Sequence, residues 1–329
     1  MTWVTWRQYR YQGALAAALL AALAVVLLIT GMHAALVWHS ALAGCAKDGS
    51  CASLAGSNLS LASPTIATLV VATSAVPLLP GLFWGAPMVA SELETGTNQF
   101  AWTQSITRRR WLAVRAGWLL LAAAAFAGAV SAVVTWWSGP DNALTADAFQ
   151  ANRFDVTDIV PVGYAIFAMA LGICAGMLLR RTLPALAVTL AGFAALRAAT
   201  SQWLRLHYMT PVTVYYKLTA PFVPAGSYLG ISQGVVGANG KPPVSSPGAN
   251  AVGVNGVPVP AACQKFMGKP SANLHAVLSC MSAHGYQGDV TYQPASRFWA
   301  FQGIETGIFV VLAAILLGVT FWVLKRRDA

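Results

Sequence analysis

Long apolar runs alternate with short polar stretches along the chain, and the apolar runs have the length of membrane-spanning helices. A span needs about 20 apolar residues. Six runs meet this: Gly13–Trp38, Pro64–Ala90, Ala113–Trp137, Val160–Leu179, Thr182–Trp203 and Phe298–Leu324. The fourth and fifth are separated only by Arg180 and Arg181, which predicts a tight helical hairpin. The first run is longer than the apolar region of a signal peptide and is followed by no convincing cleavage site, so it reads as a true span. The pattern predicts an all-α polytopic membrane protein with six transmembrane helices. An interfacial segment covers residues 1–12, helices one to five lie in 13–203, a large loop region spans 204–297, and helix six with a basic tail occupies 298–329.

Composition agrees with this reading. The 329 residues are 57% hydrophobic and 9% charged, against about 25% charged in soluble domains. The net charge of +10 sits mostly beside the apolar runs, where it orients a membrane protein rather than binding nucleic acid. Arg7 and Arg10 precede the first run; Arg108, Arg109, Arg110 and Arg115 lie between or just inside the second and third; Arg180 and Arg181 join the fourth and fifth; Lys325, Arg326 and Arg327 follow the sixth. The alternate short loops carry only Lys47 and Arg153. Six spans with both termini cytoplasmic satisfy every cluster. The large loop between helices five and six is then extracellular. The N-terminal MTWVTWRQYRYQG is aromatic and basic, as an interfacial anchor is.

Within the large loop, QGVVGANGKPPVSSPGANAVGVNGVPVP is rich in turn-forming residues and reads as irregular. A short helix is expected around Ala272–Ser282, and MTPVTVYYKLTAPF as a partly buried return towards the membrane surface. Cys45, Cys51, Cys263 and Cys280 fall in the two expected outer loops, and Cys174 inside span four. Four cysteines allow three pairings. The local pairs Cys45–Cys51 and Cys263–Cys280 need the least rearrangement, and an oxidising exterior permits both. No CxxC and no Cys/His ligand cluster appears; His275 and His284 lie near Cys280, but that alone is a weak signal, so no metal site is expected.

The chain has no GxxxxGK[ST] loop, since none of its six lysines precedes Ser or Thr. It has no HExxH and no GxSxG. Asp141, Asp147, Asp155 and Asp158 are spread along one loop without catalytic spacing and read as solvated acids. The chain is therefore expected not to be an enzyme, and any ATP hydrolysis must occur in another polypeptide. Two candidates for a functional charge within the spans are Glu305 and Arg197, at comparable depth in the outer half. If they pair, the pair is either a gate or substrate contact or a device that fixes helix packing; otherwise both groups are wetted by the outer vestibule.

The most polar short loop is ASELETGTNQFAWTQSITRRRW, residues 90–111, with the cytoplasmic segment proper at 91–112. Ser91–Glu94 has the form of a capping box, Gly96 stops a helix and Thr97 starts the next. A short helix over Asn98–Ser105 is expected to lie outside the membrane, and Thr107 to cap the helix that runs into span three. Phe100, Trp102 and Ile106 on such a helix suggest a docking surface.

The stretch SELETGTNQFAWTQSITRRRWLAVR resembles the first cytoplasmic loop of ABC-2 type transporter permeases, in the six-span form common among actinobacteria. QPASRFWAFQGIETGIF, residues 293–309, is similar to the start of their sixth span. The resemblance implies the membrane subunit of an ABC exporter in the plasma membrane. It would pair with a second copy or a sibling permease and engage ABC ATP-binding subunits, which would hold ATP and Mg. The short helix would be the coupling helix, and Glu92, Glu94, Gly96, Thr97, Phe100, Trp102, Gln104, Arg108, Arg109 and Arg110 would contact the ATPase. The implied substrate is amphipathic or hydrophobic: a drug-like natural product as in multidrug export, a peptide, or a lipid. The competing class is a gradient-driven carrier working through Glu305 and Arg197. It lacks support from any internal repeat of spans.

Overall fold

The computed structural model describes residues 18, 21–22, 24–32, 73–95, 107–145, 148–220, 222, 224, 228–237, 253–254, 257–266 and 274–326. Its contacts divide the chain into a helical unit, Met1–Tyr208 with Trp299–Ala329, and a smaller unit, Met209–Phe298.

Among the described residues, the helical unit contains α1 (24–32), α2 (73–95), α3 (Arg108–Thr145), the short α4 (Ala151–Phe154), α5 (Val160–Leu179), α6 (Thr182–His207) and α9 (Phe298–Arg326, with Phe298 in the smaller unit). Five of these helices are long and apolar enough to cross a membrane. The first expected span is seen as helical backbone at 18, 21–22 and 24–32, and the rest of it lies outside the described residues. The fifth span continues to His207 rather than ending at Trp203, and α3 continues past Trp137 to Thr145.

α5 is the hub, mostly buried along its length, whereas α6 and α9 are largely exposed. Its Ala165, Met169, Ile173 and Met177 recur at helical spacing and meet Met88 and Val89 of α2, Leu112, Ala116, Leu119, Ala123 and Ala127 of α3, and Val323 and Leu324 of α9. Small residues permit the closest approaches. Ala86 and Ala90 of α2, Ala175 of α5 and Ala185 of α6 form a second cluster. Where α2 passes α5 it widens into a π-helical turn at Gly81–Gly85. A Cβ placed on Gly172 of α5 would lie 2.5 Å from the Gly81 carbonyl oxygen. At the other side of α3, Leu27 of α1 packs with Val130 and Val134, and the Trp137 indole N–H donates to Thr30 Oγ1 at 3.2 Å.

The hairpin expected at Arg180–Arg181 is present. Arg180 closes α5 in the left-handed conformation (φ 55°), its N–H bonding the Gly176 carbonyl, and Arg181 is extended before α6 begins.

The smaller unit corrects the all-α expectation. It holds a three-stranded antiparallel sheet of β1 (Val212–Lys217), β2 (Leu229–Val236) and β5 (Gln287–Gln293), with β5 central, and a two-stranded ladder of β3 (Gly253–Val254) and β4 (Val257–Pro258). Val212 faces Tyr292 and Lys217 faces Gln287 across the β1–β5 pair. β1 is the segment expected to return to the membrane surface. Its Val-Thr-Val-Tyr-Tyr run of β-branched and aromatic residues suits a half-buried strand, and its burial alternates accordingly. The short helix expected at Ala272–Ser282 is observed as α8 (Leu274–Ala283), after α7 (Ala261–Gln264). The two are joined by the Cys263–Cys280 disulfide over a core of Leu218, Val259, Val277 and Met281. The Cys45–Cys51 pair lies outside the described residues, as do the interfacial segment 1–12 and the basic residue Arg327.

Candidate functional site

Two clusters of polar side chains stand out within the helical unit, at opposite ends of α5. The first gathers at the Arg180 end. Ser91 and Glu94 do not form a capping box, because α2 runs unbroken through both to Thr95 and Ser91 Oγ donates to the Pro87 carbonyl within the helix. Glu94 instead caps a different helix. Its carboxylate accepts from both the backbone N–H (3.1 Å) and the hydroxyl (2.8 Å) of Thr182, the first residue of α6. The amides of a first helical turn lack intrahelical partners and carry partial positive charge, so a carboxylate is favoured there. Glu92 pairs with Arg115 of α3, whose guanidinium lies 5.2 Å from the Trp111 ring centroid. The two acids therefore brace the end of α2 against α6 and α3.

Of the other residues assigned to ATPase contact, Arg109 and Arg110 are exposed in the first turn of α3, which starts immediately after Thr107. Arg108 has helical backbone, while its side chain and all of Gly96, Thr97, Phe100, Trp102 and Gln104 lie outside the described residues. The expected helix at Asn98–Ser105 lies there too.

The bonds from Thr182 hold the Glu94 carboxyl below the usual carboxylate range. A group whose folded pKa is depressed adds stability above its unfolded value and loses it as the pH falls through the folded one. Thr182→Val should therefore lower stability slightly in neutral and mildly acid buffer, where Glu94 is ionised, and match wild type once the pH is below the carboxylate range. The Glu94 part of the acid-side decline should shrink but not vanish, because the Thr182 backbone N–H still donates to the carboxylate. Thermal midpoints of Thr182→Val and Glu94→Gln across the carboxylate range check this. Parallel acid profiles for wild type and both variants would contradict it.

The second cluster lies at the other end of α5 and holds both Glu305 and Arg197, whose pairing the sequence left open. Glu305 and Arg197 do not bond each other directly. Glu305, on α9, accepts a fork from Arg205, with Nε to Oε2 at 3.0 Å and Nη2 to Oε1 at 2.7 Å. It also accepts from the hydroxyls of Tyr164 and of Tyr208, the latter at 3.3 Å. Arg197 donates from Nε (3.2 Å) and Nη2 (3.1 Å) to Asp155 Oδ2, and from Nη1 to the Ser74 carbonyl of α2. Arg205 closes the chain by donating also to Asp155 Oδ1. Two guanidinium groups and two carboxylates thus form one charge-balanced network in the order Arg197, Asp155, Arg205, Glu305. Arg205 is 1% exposed, Asp155 3% and Glu305 0%.

Aromatic rings close over the network. Arg205 stacks 4.2 Å from the Phe154 ring centroid, Tyr164 meets Phe193 and Phe309, and Phe149 meets Phe154 and Phe301. Gln302, one turn before Glu305, accepts from the Val160 N–H at 3.1 Å and donates to the Phe154 carbonyl at 3.3 Å, fixing the start of α5. Burial, followed by the neighbouring Glu305 carboxylate, pushes the Tyr208 phenol pKa upward and keeps its proton available for donation.

The π-helical turn at Thr200–Leu204 places Arg205 in the network. On a regular α-helix, residues eight apart diverge by about 80°. One i→i+5 turn adds about one residue and returns Arg205 to nearly the face of Arg197. Sequence reading missed Arg205 because it falls beyond the apolar run. It also placed Asp155 among solvated acids. The signal was present in FQANRFDV, whose Phe149, Phe154 and Val156 are buried together with Asp155. Asp158 is partly covered too, with its backbone tied to Ser131 and Thr135 of α3. The side chains of Asp141 and Asp147 lie outside the described residues.

A family model described as ABC-2 membrane transporter related matches residues 17–205, more than half of the chain. No curated protein and no solved structure matches.

Proposed function

The chain belongs to the ABC-2 membrane transporter related family, and from that premise we propose that it is the permease subunit of an ATP-driven exporter in the plasma membrane. It would move an amphipathic or hydrophobic substrate outward (a drug-like natural product, a peptide or a lipid), using a separate ATP-binding subunit that carries ATP and Mg. The observation that carries the proposal is the family match, which takes in helices α2 to α6 and the 91–112 loop. The bracing of that loop's first turn supports it: Glu92 to α3 and Glu94 to α6 give a push at the loop three helices to act on. In this reading Glu92 and Glu94 position the loop, while Phe100, Trp102, Gln104 and Arg108–Arg110 face the ATPase. A second permease half, identical or sibling, would complete the path. Gly303 and Gly307 of α9, one turn apart and with open space around any added Cβ, would allow it to approach closely.

Buried charges inside a membrane protein keep a gradient-driven carrier as the second reading. The donors around Glu305 come from Arg205, Tyr164 and Tyr208, which suits a packing clamp better than an ion site. Affinity purification of the tagged chain from its native membrane in mild detergent separates the two. The exporter reading expects a phosphate-loop ATPase to co-purify and to be lost when Phe100 and Trp102 are both changed to Asp. Tight monodisperse protein with no ATPase, together with substrate uptake or efflux driven by an imposed ion gradient, would replace it with the carrier.

A further inference from the structure

Among the described residues, one group of three metal-ligating side chains comes together in the smaller unit: Cys263 of α7, and Cys280 and His284 of α8. Their ligating atoms all lie within 4.8 Å of one another. No sequence motif announces the group. Cys280 and His284 are one helical turn apart, but Cys263 arrives from a separate helix, brought there by packing on Leu218, Val259, Val277 and Met281. We propose that, when the Cys263–Cys280 disulfide is reduced, these three residues bind one Zn²⁺, so that the metal replaces the disulfide as the tie between α7 and α8.

The geometry suits a three-ligand site with one open position. Zinc binds sulfur at about 2.3 Å and nitrogen at about 2.0 Å, so tetrahedral ligand atoms stand about 3.5–3.8 Å apart. His284 Nδ1 already lies 4.0 Å from Cys263 Sγ and 3.9 Å from Cys280 Sγ. Breaking the disulfide frees the sulfurs to separate to that spacing. Both cysteines also pack on the apolar core of Leu218, Val259, Val277 and Met281. Cys263 is fully buried, Cys280 is half-buried and His284 is exposed at the end of α8, just before Gly285 turns the chain at φ 82°. Solvent therefore reaches the open side of the group, where a water can take the fourth position. The imidazole has one competing contact, Nδ1 against the Cys280 carbonyl at 2.9 Å, which metal binding would exchange for the Zn–N bond.

The redox step balances with a thiol reductant. Two small-molecule thiols give two electrons and two protons, becoming a disulfide, and Cys263 and Cys280 become thiols. Zn²⁺ binding then releases both protons as the thiolates form. This reading concerns the smaller unit alone and stands apart from transport.

The test is a zinc titration of the full-length detergent-solubilised chain, in competition with a chromophoric chelator and in a Cys45→Ser/Cys51→Ser background. Reduced protein is expected to take up one Zn²⁺ per chain and oxidised protein none. His284→Ala, a change at an exposed position that spares the disulfide, should weaken binding roughly tenfold or more. Cys280→Ser should abolish it. Cobalt substitution should add a thiolate-to-metal absorption band to reduced wild type only. Absence of zinc uptake by reduced protein would overturn the proposal. So would equal affinity in His284→Ala, or uptake that persists in Cys280→Ser.

Discussion

Replacing Arg205 with Met should lower the unfolding free energy by about 3–5 kcal/mol, the usual effect of removing one partner from a buried ion pair. Among the described residues, Arg205 alone pairs with both acids of the network, donating to Asp155 and to Glu305. Its loss leaves the fully buried Glu305 with two phenol hydroxyls and no cation. Arg197→Met should cost less, because Arg197 is partly exposed (side chain 16%) and Asp155 keeps Arg205. The informative variant is the double change Arg205→Met/Glu305→Leu. It removes one charge of each sign and leaves Arg197 with Asp155, so much of the single-variant loss should return. Thermal unfolding in detergent, read for all three variants beside wild type, measures the ordering. If Arg205→Met unfolds with wild type, or the double variant is no better than the single, the network does not hold these helices together.

The spans were legible because a helix in lipid must be apolar over its whole length, and that constraint survives any tertiary arrangement. Glu305 and Arg197 were legible for the converse reason: a charge in such a run demands a partner. The identity of the partner was not. Span arithmetic places residues by rise along a straight α-helix, and the π-helical turn at Thr200–Leu204 breaks that phase just before Arg205. Asp155 was hidden because a loop rich in Asp resembles solvated chain until Phe149 and Phe154 are seen folded beneath the bundle's rings. Glu94 shows a third limit. The spacing Ser91–x–x–Glu94 fits a local capping box, and the glutamate does cap a helix, but one 88 residues further along the chain. The β1–β5–β2 sheet was missed because turn-rich sequence between strands masks their pairing, which is set by contacts distant in sequence.

The close glycine contact between α2 and α5 gives the last prediction. Gly172→Ala should destabilise by about 1–3 kcal/mol or more, and Gly172→Val should prevent α2 and α5 from packing as they do. A Cβ on Gly172 would stand 2.5 Å from the Gly81 oxygen and 2.7 Å from the Ala86 nitrogen, both backbone atoms. A Cβ on Gly81 would likewise stand 2.3 Å from the Ala168 carbonyl oxygen, and one on Gly176 2.7 Å from the Ala86 oxygen. No rotamer change relieves a clash with backbone, so the helices must separate along several turns. Separation matters more in lipid than in water. Helix association there gains nothing from hiding apolar surface and depends on close van der Waals contact. Gly117 and Gly318 are the controls, since nothing lies within 4 Å of a Cβ at either. Alanine at those sites should cost no stability and could gain up to about 1 kcal/mol from helix propensity. Equal thermal midpoints for Gly172→Ala and Gly117→Ala would mean that α2 yields at its π-helical turn. The widened turn would then act as a compliant joint, and the glycine contact would not set the spacing of the two helices.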